Sequence, residues 1–363
     1  MRRAAVLAFV RLALAPALAG ALGALGACGA CGAHGSDAGT PADYPDLAVL
    51  AVPPDSFTLR ADGAWRWAGA LFPLRAVGRA FYAAHPDDYD FLVVFSDFTV
   101  ADAWVLEDTL KNDVAGIGLD RVWAEWGLDV LGDDQSAAAG SAGRLQAVLF
   151  MNGPGAWTGA ELGVQDLLVA ELAHRWGAYL PVPGGGDPWA LLDVALSHWA
   201  MVANVGAPGD LAYGVTRDNG DGTFTAALAS PILYTPWELY TMGLYDPASL
   251  GDLFYVAGPS AFDPPAAPDG TAWTPDSVAS TTPVTFAGTR VDVAAADVLA
   301  DLGPRDPPFG AAPTAFRCAF VVLCADAAAC AGDALAWAEA ARTAWPARFA
   351  AATGGRASVT AGL

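Results

Sequence analysis

The sequence has very little positive charge, and this scarcity excludes one class of function before any motif is considered. Lys111 is the only lysine, and 18 Lys and Arg residues face 39 Asp and Glu residues, for a formal net charge of -21. Binding to nucleic acid depends on neutralising phosphates with Lys and Arg, so no nucleic-acid partner is expected. Charged residues make up only 16% of the chain and hydrophobic residues 54%, which is typical of a protein with a sizeable buried core.

Several familiar catalytic motifs are also missing. The segment 140–143 is not a Gly-x-Ser-x-Gly nucleophile elbow, and no Gly-Lys loop for phosphates is present. Histidine is scarce, because only His34, His85, His174 and His198 occur. Catalytic zinc is usually held by three protein ligands. A three-His site is therefore not expected, and any zinc site should include a carboxylate.

Residues 1–27 have the pattern of a bacterial lipoprotein signal peptide. Basic residues up to Arg11 precede an apolar run over 12–27, as in a secretory signal. Leu25-Gly26-Ala27 before Cys28 resembles the lipobox of lipoproteins, in which the cysteine is lipidated and becomes the first mature residue. The alternative is a retained transmembrane anchor.

Lipidation of Cys28 would place the protein in the bacterial cell envelope, with the membrane as a partner. Gly29 follows the cysteine and does not resemble the Asp retention signal, which favours the outer membrane or cell surface. Residues 28–46 are rich in Gly, Ala, Ser, Asp and Pro and are expected to form a flexible tether. Residues 47–363 are expected to form one domain, with a soft boundary in the Pro-rich stretch 259–283.

Apolar runs and helical patterns alternate irregularly after the tether, which indicates an α/β or α+β fold. Near-continuous apolar runs predict buried strands, and caps with Pro or Gly breakers predict helix ends. Turn chemistry at 218–224 predicts a tight hairpin, with a calcium loop as the alternative. The expected strands are 89–95, 145–151, a pair within 284–293, and 316–325, and the expected helices are 73–84, 162–180, 187–202, 295–302 and 333–352.

Three cysteines cluster near the C-terminus. Cys318 and Cys324 lie in one extended apolar run, too far apart along a strand to be bridged. Cys324 and Cys330 are the feasible disulfide pair, and three buried free thiols are the alternative.

The helix expected at 162–180 carries the clearest chemical signal. Its segment Glu171-Leu172-Ala173-His174 resembles the His-Glu-x-x-His helix of zincin metallopeptidases, in which the histidines bind zinc and the Glu activates the metal-bound water. Ala170 stands at the first His position, and Leu180 stands where metzincins place a later His. The resemblance implies a zincin-like domain with a mixed sheet packed against helices, with Glu171 as the catalytic base and a degenerate metal site.

A wider resemblance, to uncharacterised bacterial secreted proteins that carry such a helix, extends from about Phe81 to the C-terminus. In metzincins a Met lies in a turn under the metal, and Met242 is the residue implied as its counterpart. The matching segments are 89–95, 143–146, 171–177, 197–199, 218–224, 234–244, 303–305 and 349–356.

His174 and His198 with one carboxylate would have the composition of a His₂-acid zinc site. Glu238 is the acid we predict as the third ligand, and Asp193 and Glu171 are the alternatives. The competing interpretation of each histidine is a core side chain that hydrogen-bonds within the protein.

Together these patterns predict an envelope-anchored lipoprotein with a degenerate zincin-like metallopeptidase domain and little or no hydrolytic activity. An active form would be a zinc-dependent metallopeptidase in which Glu171 deprotonates the attacking water. The alternative is a non-catalytic lipoprotein, a pseudoenzyme that binds a peptide or a surface partner, or a structural surface protein.

Overall fold

The computed structural model describes residues 39–53, 56–68, 73–128, 131–158, 160, 162–184, 186–206, 215–228, 230–268, 270–277 and 282–363. The signal peptide, Cys28 and most of the tether lie outside these residues and stay predictions. No helix in the described ranges is both long enough and apolar enough to cross a membrane. Helix and strand each make up 26% of the structure, as expected for a mixed α/β fold.

The described residues form six α-helices and fifteen strands. The helices are α1 (Leu74–Tyr82), α2 (Leu119–Trp126), α3 (Val164–Ala173), α4 (Pro236–Thr241), α5 (Ala295–Leu302) and α6 (Gly332–Ala352). The strands are β1 (Leu47–Ala51), β2 (Phe57–Leu59), β3 (Trp65–Trp67), β4 (Phe91–Ser96), β5 (Leu106–Thr109), β6 (Lys111–Asn112), β7 (Asp133–Asp134), β8 (Ala147–Phe150), β9 (Ala203–Asn204), β10 (Val215–Asp218), β11 (Thr223–Ala227), β12 (Leu253–Asp263), β13 (Val284–Val293), β14 (Ala315–Cys324) and β15 (Ser358–Ala361).

A six-stranded sheet in the order β1-β14-β4-β8-β5, with β15 also paired to β14, forms the centre of the fold. Every pair is parallel except β5 with β8, so β5 is an antiparallel edge strand. The apolar runs predicted at 89–95 and 316–325 become β4 and β14, which lie side by side. Both strands are buried almost throughout, because helices cover the two faces of the sheet.

Alternating side chains of the central strands contact different helices. Leu92 packs with Phe81 of α1 on one face. Phe91 belongs to a larger core on the other face, together with Leu172 of α3 and Trp345 of α6. This arrangement of helices on both faces of a sheet fixes α3, the helix that carries Glu171, against the sheet.

A second sheet, antiparallel in the order β10-β11-β13-β12-β9, follows α3 in the chain. The hairpin predicted at 218–224 is confirmed, and Asp218 and Asp221 accept backbone N–H groups within its turn. The strand pair predicted around Gly288 is wrong, since β13 is one continuous strand. Gly288 fits there because it packs tightly on β12, where a Cβ would come within 2.3 Å of Val256 Cγ1.

The helix predicted at 187–202 is also wrong, because this segment forms a hairpin-like loop. Leu192 and Trp199 form an isolated antiparallel bridge. The Asp193 carboxylate accepts the backbone N–H groups of Ser197 and His198, at 3.0 and 3.3 Å. A carboxylate that binds nearby N–H groups in this way competes with a helix for them, and the loop is the result.

Helix α3 ends at Ala173 rather than continuing to Leu180 as predicted. The N–H groups of Trp176 and Gly177 both donate to the Ala173 carbonyl, at 2.9 Å each, and this closes the last turn. His174 therefore lies at the C-terminal cap of the helix, where the chain turns away.

A disulfide joins Cys324 to Cys330, the pair that the sequence left as feasible. Cys318 is a buried free thiol on β14. The disulfide connects the end of β14 to the residue that precedes the N-cap of α6.

Candidate functional site

Glu171 lies near the C-terminal end of α3, a helix that is apolar on most sides and therefore buried. The helix is held in place at its first turn, where Asp166 forms an ion pair of 2.7 Å with Arg348 of α6. Leu168 and Leu172 are fully buried against the core. Glu171 is only 6% exposed in these surroundings.

The Glu171 carboxylate has no hydrogen-bond or ion-pair partner among the described residues. Burial raises its pKa from 4.5 to about 7, and the neighbouring His198 partly opposes this rise. A carboxylate buried without partners costs free energy. Acidic groups with pKa values near neutrality are concentrated at functional sites, so Glu171 is a candidate functional residue.

Two arginines that could have neutralised Glu171 bind other groups. Arg144 pairs with Asp90 at 3.2 Å. Arg175 is 1% exposed and pairs with Asp113, while its Nε donates to Gln146 at 3.2 Å. Neither contact involves Glu171, and the charge that lowers the pKa of Glu171 is that of His198.

The structure brings His174 and His198 together, although they are distant in sequence. Their rings pack edge to face with 4.7 Å between centroids. Burial lowers the pKa of His174 to about 3, the charge of His198 lowers it further, and Asp193 and a hydrogen bond to the Ser197 backbone act in the opposite direction. His174 is therefore a neutral imidazole at physiological pH.

Asp193 orients the His198 ring. Its Oδ2 lies 3.1 Å from His198 Nδ1, and the side chain is 3% exposed. Burial acts to raise the pKa of Asp193, but the hydrogen bonds and charge of His198 and the N–H of Ser197 outweigh it and leave the pKa lowered. The loop at 187–202 is thus organised around the ionised carboxylate of Asp193. The backbone N–H groups of Ser197 and His198 and the His198 ring donate hydrogen bonds to it.

The structure does not bring Glu238 to the histidines as a metal ligand. Glu238 is 1% exposed, and its two oxygens accept the indole N–H of Trp199 at 2.9 Å and the backbone N–H of Thr235 at 2.7 Å. The second contact belongs to a capping box at the start of α4. Glu238 instead accepts a hydrogen bond from Trp199, which is next to His198 in the chain. Met242, the residue implied as the metzincin Met, is buried at the C-terminal cap of α4.

Glu107 is a member of the site that the sequence did not reveal. It lies on the edge strand β5, where Thr109 Oγ1 donates to its Oε1 at 2.7 Å. Burial raises the pKa of Glu107 well above its usual value; Thr109 and Arg175 oppose the rise, and the charges of Asp108 and Glu171 add to it. The mixed polar run of β5 gave no strand signal, so nothing in the sequence placed this carboxylate near Glu171.

The donor groups do not fit a catalytic zinc ion. Within the described residues, only Asp97, Cys324 and Cys330 bring three potential ligand atoms within 4.8 Å of one another, and the two cysteines are joined in a disulfide. His174 and His198 gain no third donor of this kind, and Ala170 supplies none. A catalytic site needs three protein ligands and one open position.

No family model, curated protein or solved structure matches the chain. Glu171 can exchange a proton near neutral pH, His174 is neutral, and His198 is oriented by Asp193.

Proposed function

We propose that the protein is an envelope-anchored lipoprotein whose zincin-like domain has lost zinc catalysis and does not hydrolyse peptides. The observation that supports this proposal is the convergence of His174 and His198 beside the unpartnered Glu171, with Ala170 at the position where a further ligand would stand. Residues 171–174 also resemble part of a zincin helix, and this resemblance is the reason for interpreting the paired histidines as a former metal site.

The buried polar groups favour a lost metal site over simple core packing. Burying an unpaired carboxylate and a neutral imidazole costs free energy that apolar side chains would not cost. The loop around His198 contains further buried polar contacts. Asp193 hydrogen-bonds the His198 ring, and the adjacent Trp199 donates to Glu238. Such an arrangement is expected when residues were once selected for chemistry rather than for stability.

Peptide hydrolysis by a zincin depends on a metal that polarises the scissile carbonyl and activates water. In this chain the first ligand position is Ala170, and among the described residues Glu238 does not join His174 and His198 in a group of three ligand atoms within 4.8 Å of one another. Glu171 alone can accept a proton but cannot polarise a carbonyl group. We therefore expect no turnover of generic unfolded protein substrates.

Ala170→His should restore the His-Glu-x-x-His spacing and raise zinc affinity by at least about tenfold, since a third imidazole completes the usual ligand number. Isothermal titration with zinc measures this change. Ala170→Gln is the matched control, because it adds a side chain of similar size without an imidazole. Equal zinc affinity in the two variants would contradict the assignment of α3 to a former metal site.

Cys28→Ser should abolish incorporation of a labelled fatty acid and release the protein from the membrane fraction, because Cys28 is the residue that the lipobox-like sequence presents. Cys31→Ser is the control, and it should remain labelled and membrane-bound. Acylation that persists in Cys28→Ser would refute the lipoprotein proposal without affecting the proposal about the metal site.

A further inference from the structure

A second cluster of potential ligands lies at the edge of the central sheet. Strands β4 and β14 are parallel neighbours, so their C-terminal ends meet. Asp97 follows β4 directly, Cys324 is the last residue of β14, and Cys330 precedes the N-cap of α6. One ligand atom from each residue lies within 4.8 Å of the other two.

Asp97 is held in this cluster by the backbone rather than by the disulfide. Its Oδ1 accepts the N–H of Ala325 at 3.0 Å, and its Oδ2 accepts the N–H of Ala331 at 3.4 Å. These are the residues that follow the two cysteines. The carboxylate therefore keeps both ends of the cysteine loop in place whether or not the sulfurs are bonded to each other.

We propose that reduction of the Cys324–Cys330 disulfide creates a thiolate–carboxylate site for a thiophilic divalent cation such as Zn²⁺ or Cd²⁺. Zinc–sulfur bonds of about 2.3 Å in a tetrahedral site place two sulfurs about 3.8 Å apart. The Cα atoms of Cys324 and Cys330 are 5.2 Å apart, which allows both side chains to reach one ion. Thiolate ligands select zinc-like ions over magnesium or calcium.

The reaction balances with a dithiol reductant. The dithiol supplies two electrons and two protons, its own sulfurs become a disulfide, and the S–S bond of Cys324 and Cys330 breaks to give two thiols. The cation then displaces the two thiol protons and binds both sulfurs, with Asp97 as the third ligand and water in the remaining position. The same residues thus form a disulfide under oxidising conditions and a cation site under reducing conditions.

Cadmium is the probe for this site, because thiolate-to-cadmium charge transfer is visible in the ultraviolet. The full chain carrying Cys31→Ser is reduced with a phosphine, freed of reductant without oxygen, and titrated with Cd²⁺. We expect about one Cd²⁺ per reduced chain and none in the oxidised chain. Asp97→Asn should weaken binding roughly tenfold or more, and Cys318→Ser should leave it unchanged, because Cys318 is not in the cluster.

Four results of the cadmium titrations would overturn the proposal. They are absence of the charge-transfer band in the reduced chain, equal binding by the oxidised chain, unchanged affinity in Asp97→Asn, and loss of binding in Cys318→Ser. Near-ultraviolet circular dichroism of the reduced, cadmium-free chain is recorded in parallel. Loss of its tertiary signal would also refute the proposal, since the cluster requires β4, β14 and α6 to remain packed.

Discussion

Glu171→Gln should make the protein more stable at pH 8 and leave its stability nearly unchanged at pH 4. Burial raises the pKa of Glu171 from 4.5 to about 7, so the folded protein favours the protonated side chain. Glutamine has the shape of that protonated side chain and never ionises. The substitution therefore removes a loss of stability that begins above pH 4.5, where the unfolded chain ionises this side chain before the folded protein does.

The sign and size of the effect follow from the two pKa values of Glu171. Below pH 4.5 the side chain is protonated in both the folded and unfolded chain, and the native protein has its full stability. Between pH 4.5 and about 7 the unfolded chain releases the proton first, so stability falls, and above that range the loss is constant. This difference between the two pKa values of Glu171 corresponds to a loss of ~3 kcal/mol in the free energy of unfolding at pH 8.

Chemical denaturation of both proteins at several pH values measures this difference. Glu125→Gln is the control, because Glu125 is exposed on α2, and its effect should be small at every pH. A Glu171→Gln protein that is less stable than the native protein at pH 8 would mean that the carboxylate has a stabilising partner, and it would refute the interpretation of a strained functional residue.

Asp193→Ala should destabilise the fold by ~3 kcal/mol or more, because it removes a buried acceptor from two backbone N–H groups and from the His198 ring. It should also release His198 from its contact with His174. Urea denaturation gives the loss of stability, and the ¹⁵N chemical shifts of the His198 ring report whether its hydrogen bond to a carboxylate persists.

Asp276→Ala is the matched control for Asp193. Asp276 is an exposed residue outside this loop, and its Oδ1 accepts the backbone N–H of Val194, which lies in the loop, at 2.8 Å. Its removal should cost ~1 kcal/mol or less and leave the His198 ring signals in place. A comparable loss of stability in the two variants would show that the buried carboxylate has no special role in building the loop.

The sequence predicted the parts of the fold that depend on local patterns. The apolar runs of β4 and β14 have no amphipathic alternative and could only be buried strands, and α5 follows its predicted range. The prediction failed at 187–202, where helix-compatible residues are drawn into a loop by the carboxylate of Asp193. That competition depends on tertiary burial, which no local pattern reports.

Only those residues of the candidate site that lie in a local sequence pattern or belong to a scarce residue type could be predicted. Glu171 and His174 were identified from their spacing on one helix, and His198 from the scarcity of histidine in the chain. Glu238 was predicted as a ligand only because it is acidic. In the structure its oxygens accept hydrogen bonds from the Trp199 indole and the Thr235 backbone. Glu107 was missed because its strand pairs at the edge of the sheet and carries no apolar run.

The zinc content of the native chain in its oxidised form tests the central claim most directly. The protein is equilibrated with excess Zn²⁺, freed of unbound metal and analysed beside His198→Gln. We predict much less than one zinc ion per chain and no difference between the two proteins, because no third ligand atom among the described residues joins those of His174 and His198. One tightly bound zinc ion per native chain that is lost in His198→Gln would contradict the account and restore the metallopeptidase assignment.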